Sequence, residues 1–151
     1  MTAPEDYTVE LFLDEIEDII RANSDNINPS SVINSDYEYT GCVYRNPNGD
    51  YCLIGQWLYE KHPVIFKKME DSSYRKGWVS SLNEEDGIKI FTSAWEILEN
   101  QGFTEPVSKT SQFCQDLADK QFRNIDNELT RSRWEDLLSE INELRKDANA
   151  N

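Results

Sequence analysis

Apolar residues recur at helical spacing from Thr8 to Asn23, where Val9, Phe12, Leu13, Ile16, Ile19 and Ile20 fall on one side and Thr8 can serve as N-cap. This predicts an amphipathic helix. Glu10, Asp14, Glu17 and Asp18 occupy its other side, with Glu10, Asp14 and Glu17 at i, i+4 and i+7 and no lysine paired with them. Such a stripe is either a solvated face or an acidic docking edge for a basic partner. Asn, Ser and Asp around Pro29 mark the following stretch, Asn23 to Asp36, as a loop by turn chemistry.

Two β-prone runs, Tyr37 to Arg45 and Asp50 to Ile54, flank Asn46-Pro-Asn-Gly49 and predict an antiparallel hairpin. Strand alternation places Cys42 and Tyr44 on one face and Val43 on the other. Gly55 to Lys61 predicts a short helix packed back on the hairpin through Trp57 and Leu58, ending near His62 because Pro63 disfavours helical geometry before it. Val64 to Met69 mixes apolar and basic residues, and Asp71 to Ser81 reads as a connection held by Tyr74, Trp78 and Val79.

Asn83-Glu-Glu-Asp supplies an acidic first turn for the next predicted helix, with Ile88, Phe91, Trp95 and Leu98 at helical spacing and Gly102 as its stop. Thr104 to Lys109, containing Pro106, reads as a turn. A further helix is predicted from Thr110 to Ile125, with Phe113, Leu117, Phe122 and Ile125 inward and Cys114 beside them. Ser132 and Glu135 form a capping box for the last helix, whose buried stripe is Trp134, Leu137, Leu138, Ile141 and Leu144. The expected fold is α+β and mainly helical, with about five helices and one small antiparallel β-hairpin. Residues 1–146 form one domain in this reading and 147–151 a frayed tail.

Composition sharpens the functional side. Only 38% of the 151 residues are hydrophobic, yet four Trp, seven Tyr and six Phe supply enough large apolar side chains for one core. Twenty-nine acidic against fifteen basic residues give a net charge of -14, which disfavours direct nucleic-acid binding through a basic surface. The same charge suits a basic protein partner, including the groove of a nucleic-acid-binding protein that an acidic surface could mimic its way into. Lys67, Lys68, Arg75 and Lys76 make the one local basic concentration, too few to hold a single strand against that charge. No apolar run reaches the roughly 20 residues of a membrane span, and the start lacks a signal-peptide pattern, so a soluble, cytoplasmic protein is expected.

Chemical motifs are sparse. Cys42, Cys52 and Cys114 form an odd set without a C-x-x-C pair, which argues against a disulfide framework or a zinc ribbon. Cys42, Cys52 and His62 stand at equal intervals, but their spacing is not that of structural zinc, and buried thiols are the default. A Cys–His nucleophilic pair depends on geometry that spacing does not give. Gly-rich phosphate loops, H-E-x-x-H, G-x-S-x-G and calcium-loop patterns are all missing, so no cofactor, metal or catalytic residue is assigned.

The run Gly41-Cys-Val-Tyr44, the turn at Gly49, Cys52-Leu-Ile-Gly55 and the short helix after it resemble the G-C-V-Y…C-L-[IV]-G-x-x-L pattern of small uncharacterised bacteriophage and prophage proteins, especially from actinobacterial hosts. Gln121 to Asp126 and Trp134 give a looser echo of that family's second half. The resemblance covers about a third of the chain by its hairpin and helix signals. It implies a hairpin-to-helix packing unit built on Cys42, Tyr44, Gly49, Cys52, Gly55 and Trp57, and carries no activity with it. The expected function is that of a non-catalytic phage-type accessory protein that binds a host or phage protein to modulate or inhibit it. A nucleic-acid mimic is the alternative, and a small enzyme with an unrecognised site the third reading. Self-association is open as well, because amphipathic helices can pair across protomers.

Overall fold

The computed structural model describes residues 2–23, 43–47, 49, 51–73, 77–83, 89–122 and 130–149, with 119–122, 130–135 and 147–149 described by backbone alone. Among them are six α-helices: α1 (Val9–Asn23), α2 (Leu53–Lys61), α3 (Pro63–Asp71), α4 (Ala94–Asn100), α5 (Glu105–Phe122) and α6 (Thr130–Asn149). A 3-10 turn, Pro4–Asp6, precedes α1. Strands β1 (Leu82–Asn83) and β2 (Ile90–Phe91) pair antiparallel, Leu82 opposite Phe91 and Asn83 opposite Ile90. The α+β, mainly helical class therefore holds.

Helix α1 forms where the apolar spacing places it. The Thr8 hydroxyl oxygen accepts from the Leu11 amide at 3.1 Å, capping the first turn. Phe12, Leu13, Ile16, Ile19 and Ile20 are buried against α2, α5 and α6. Around this stripe one core gathers Trp57 and Leu58 of α2, Phe66 of α3, Ile97 and Leu98 of α4, Val107 and Cys114 of α5, and Leu137 and Ile141 of α6. Leu138 and Leu144 pack against it from the flanks of α6.

The sheet lies elsewhere than the predicted hairpin. Of that hairpin, residues 37–42 lie outside the described residues, and Arg45 and Tyr51 form a single antiparallel bridge across the turn. Arg45 also bridges Val79, whose carbonyl accepts from the amides of Tyr44 at 2.7 Å and Arg45 at 3.2 Å. Val43 and Tyr44 are both buried, and Cys42, the third residue of the expected alternation, lies outside the described residues. The turn itself is as read, with the Gly49 amide on the Asn46 carbonyl at 3.0 Å and Gly49 at φ 85°. Cys52-Leu-Ile is not strand: Cys52 is the N-cap of α2, its Sγ accepting from the Gly55 amide at 3.3 Å. Leu53 and Ile54 are buried on every side, and such a short apolar run fits a strand and a buried helix equally well.

Four helix starts also differ. Helix α4 opens at Ala94, capped by Ser93, whereas Leu82–Asn83 and Ile90–Phe91 are strands and Ile88 lies outside the described residues. Pro63 begins α3 rather than merely ending α2, and α5 starts at Glu105, with Pro106 inside the stretch read as a turn. A proline in the first helical turn removes an amide that has no intrahelical partner there, so it opens a helix at little cost. Helix α6 begins at Thr130, ahead of the Ser132 read as its cap, and runs on to Asn149, into the tail expected to fray. Phe113 faces solvent instead of the core, because the buried stripe of α5 runs through Val107, Ser111, Cys114 and Ala118.

Candidate functional site

The acidic stripe on α1 is present, but half of it is committed within the fold. Arg145 of α6 reaches across with its Nη2 2.9 Å from a Glu17 oxygen and 3.0 Å from Asp14 Oδ1. Arg21, one turn on, holds the other Glu17 oxygen at 2.9 Å. The Arg21 hydrogen bond, joined by Arg145 and opposed by burial, holds the Glu17 carboxyl below the usual carboxylate range. Glu10 and Asp18 are exposed and form no salt bridge among the described residues. The stripe thus has a clamped centre and two open ends: its partners are not lysines, but Arg145 and Arg21 neutralise its centre.

A second polar cluster lies behind the opposite flank of α1. The Tyr7 hydroxyl donates to Glu15 Oε1 at 2.6 Å, and the Trp57 indole N–H donates to the same oxygen at 3.1 Å. His62 Nε2 lies 3.0 Å from the Tyr7 hydroxyl. Because that hydroxyl spends its proton on the carboxylate, His62 must be the donor, which fixes the Nε2–H tautomer. Tyr7, Trp57, His62 and Phe103 form a box of rings with centroids 4.9 to 6.0 Å apart. Burial first, then the hydrogen bond and charge of Glu15, push the Tyr7 phenol far above its ordinary range. Burial also pushes the His62 imidazole below its ordinary value, with the Glu15 charge acting against it.

Near neutral pH this cluster holds a phenol that keeps its proton and a neutral imidazole, each facing another side chain. Its geometry ties the 3-10 turn and α1 to the corner where α2 meets α3, with His62 serving as both C-cap of α2 and N-cap of α3. A histidine whose folded pKa is lowered contributes stability that is present above its unfolded value of 6.5 and is lost as pH falls through the folded one. The melting temperature should therefore decline as the pH is lowered from about 7.5 to about 5.5. A His62→Gln variant, which keeps a donor for Tyr7 but does not titrate, should show a shallower decline by circular dichroism. Equal slopes for the two proteins would remove His62 from this role.

Of the remaining residues of the predicted unit, Tyr44, Gly55 and Trp57 sit in backbone and core contacts. The Tyr44 carbonyl accepts from the Cys52 amide at 3.2 Å, and the Tyr44 hydroxyl donates to the Thr92 carbonyl at 2.7 Å. Gly55 sits against the Tyr44 backbone, and Trp57 is wholly buried. Cys42 lies outside the described residues. Cys52 and His62 stand at opposite ends of α2, about 15 Å apart at 1.5 Å per helical residue, and so do not form a catalytic pair. Burial pushes the Cys114 thiol up to about 12, leaving it protonated and unreactive. Among the described residues no group of three His, Cys, Asp or Glu side chains could hold a metal ion, and no helix is long and apolar enough to cross a membrane. Lys67 is paired with Asp71 at 3.0 Å, which weakens the local basic concentration further.

Sequence reasoning missed Glu15, Tyr7 and Arg145. Glu15 looks like one more carboxylate on an acidic helix, and Arg145 lies 128 residues from the Glu17 it binds. The one available signal was an aromatic residue, Tyr7, directly before the Thr8 cap and two turns from Glu15. No protein-family model matches the chain, and no curated protein or solved structure matches it significantly.

Proposed function

We propose that this is a non-catalytic acidic protein of phage type that acts in the cytoplasm of a host bacterium by binding a host or phage protein and modulating or inhibiting it. The observation that carries the reading is the outward face of α1, where Glu10, Asp14 and Asp18 are exposed on a helix whose other side is sunk in the core. Rigid presentation of like charges on a helix steers a basic partner from a distance and positions it without rearrangement of the fold. The net charge of -14 adds to that steering. The buried polar cluster supports the same reading, since its donors and acceptors face one another.

Charge reversal tests it at the two open ends of the stripe. Glu10→Lys combined with Asp18→Lys leaves the Arg145 clamp on Asp14 and Glu17 in place, so the fold should melt within about 2 °C of the wild type. Retention of a specific partner from nuclease-treated host lysate on the immobilised protein should weaken about five- to tenfold at low salt, and less at high salt. Reversal at Asp14 or Glu17 would instead set a lysine against Arg145 and confuse binding with stability. Unchanged retention by the double variant would remove the α1 face from the interface. Displacement of the partner by added DNA would favour nucleic-acid mimicry.

A further inference from the structure

Helices α4 and α5 carry a surface of different make. Trp95 is 38% and Phe113 48% exposed, although both are large aromatics of a kind usually buried. On α5, Lys109, Gln112, Phe113 and Asp116 follow at i, i+3, i+4 and i+7, which sets them on one outward face opposite the buried stripe. Trp95 abuts the edge of that face: its amide donates to Gln112 Oε1 at 3.4 Å and Lys109 Nζ lies 5.2 Å from its ring centre.

The indole is fixed in place. Its N–H donates to Glu99 Oε2 at 2.5 Å, so backbone, ring face and ring edge are each held by a different residue. An exposed aromatic ordered in advance loses little rotamer freedom on docking, which favours its use as an anchor. The Lys109 ammonium also shows what the surface accepts, since it lies between the Trp95 ring and the Glu105 carboxylate 2.7 Å away. Asp116 and Glu99 carry the same acidic character to either side of the aromatics.

We propose that this α4–α5 ridge is a docking surface for a cationic amphipathic segment of a partner protein. The proposal rests on the reading of the protein as a binder of basic partners and gives it a second face with its own anchor. Aliphatic side chains of the segment cover Trp95 and Phe113, while its Lys or Arg side chains meet Glu99 and Asp116. Residues 109 to 116 span about 10 Å of helix, so the segment needs two turns with apolar residues at i, i+3 or i+4, and i+7. Charge selects this occupant over the others. Nucleic acid and anionic lipid bring phosphate to a carboxylate rim, and a second copy of this chain brings a further net charge of -14.

The test uses a synthetic 14-residue amphipathic peptide of Leu and Lys as probe, with a Gly and Lys peptide of equal charge as its partner, titrated into isotope-labelled protein. Saturable shifts should centre on the Trp95 indole N–H and the amides of Lys109 to Asp116, and the Gly and Lys peptide should bind at least about fivefold more weakly. Phe113→Ser should weaken the amphipathic peptide at least about fivefold without lowering the melting temperature, because the ring it removes is half exposed. Glu99→Gln with Asp116→Asn should flatten the salt dependence. Shifts centred on Glu10 and Asp18 would overturn the ridge and leave the α1 reading standing. Equal binding of the two peptides, insensitivity to Phe113→Ser, or no saturable binding would overturn it too. Self-association in sedimentation that Phe113→Ser abolishes would assign the ridge to a second copy and reject the cationic segment. Failure of the broader reading shows separately, as the lack of any salt-released partner for the unmodified protein in lysate.

Discussion

Gly55→Ala is expected to lower stability by at least about 3 kcal/mol, which for a chain of this length means a fall of about 6 to 12 °C in melting temperature. A Cβ at position 55 would lie 2.1 Å from the Tyr44 carbonyl oxygen and 2.8 Å from its carbon. Neither is a side-chain end that can rotate away. Tyr44 is also held from other directions: its amide donates to Val79 at 2.7 Å, its carbonyl accepts from Cys52 at 3.2 Å, and its hydroxyl donates to Thr92 at 2.7 Å. Retreat by Tyr44 breaks those bonds, and retreat by α2 pulls Leu53, Ile54 and Trp57 out of the core. The sign is diagnostic, because helix propensity alone makes alanine better than glycine by about 1 kcal/mol. Thermal and urea unfolding would decide it, and a melting temperature at or above that of the wild type would show that the close approach does not constrain the fold. Gly49→Ala is the control. Nothing lies within 4 Å of its Cβ, and its φ of 85° should cost only about 1 kcal/mol.

The same contact shows which parts of the fold were legible in the sequence. Of the expected unit, Tyr44, Cys52 and Gly55 touch, as a capped helix start on a single bridged arm, while Trp57 packs its ring on Phe12, His62 and Phe103. A continuous apolar run such as Cys52-Leu-Ile carries no period, so the sequence cannot tell a wholly buried helix turn from a strand. Helix α1 was readable because one side is apolar and the other is not. Pro63 ends α2 at His62 as expected and also opens α3, and Pro106 lies in the first turn of α5 where a turn is expected, because proline punctuates a chain equally by ending one helix and by opening the next. The helix start expected at Asn83 is not found, because Phe91, Trp95 and Leu98 fall at helical spacing across a strand and a cap, and Trp95 is partly exposed.

Polar partnerships were the least legible. Composition counted Glu15 and Glu17 as two of twenty-nine acids, yet one receives an indole and a phenol and the other two guanidinium groups. Arg21 stands at i+4 from Glu17 on α1 itself, but the other partners come from α2, from the turn before α1 and from α6, and a pairing across such separations leaves no local spacing. Surface readings inherit the same limit. The α1 stripe was found by counting charge, whereas the ridge on α4 and α5 appears only once Trp95 and Phe113 are known to be exposed.

Trp57→Ala is expected to cost about 3 to 5 kcal/mol, the range for removing a wholly buried aromatic. Its ring lies 4.9 Å from Phe12 and from His62 and 5.7 Å from Phe103, centre to centre, so the void opens where three elements converge. Trp57→Phe separates volume from polarity. It keeps much of the ring but removes the N–H that Glu15 accepts at 3.1 Å, and should cost about 1 to 3 kcal/mol for a carboxylate left with one donor fewer. Adding Glu15→Gln to Trp57→Phe should recover part of that loss, because the neutral amide is less costly to leave without the donor. No recovery in this double-mutant cycle would mean that packing alone accounts for Trp57. Since Glu15 also accepts the hydrogen bond of the Tyr7 hydroxyl, loosening at Trp57 should reach the N-terminal turn: amide exchange at Tyr7 to Phe12 should rise in Trp57→Phe before exchange along α5 does. That order follows from the geometry, in which the carboxylate on α1 is the tie between an indole on α2 and a phenol that closes the start of the chain over both.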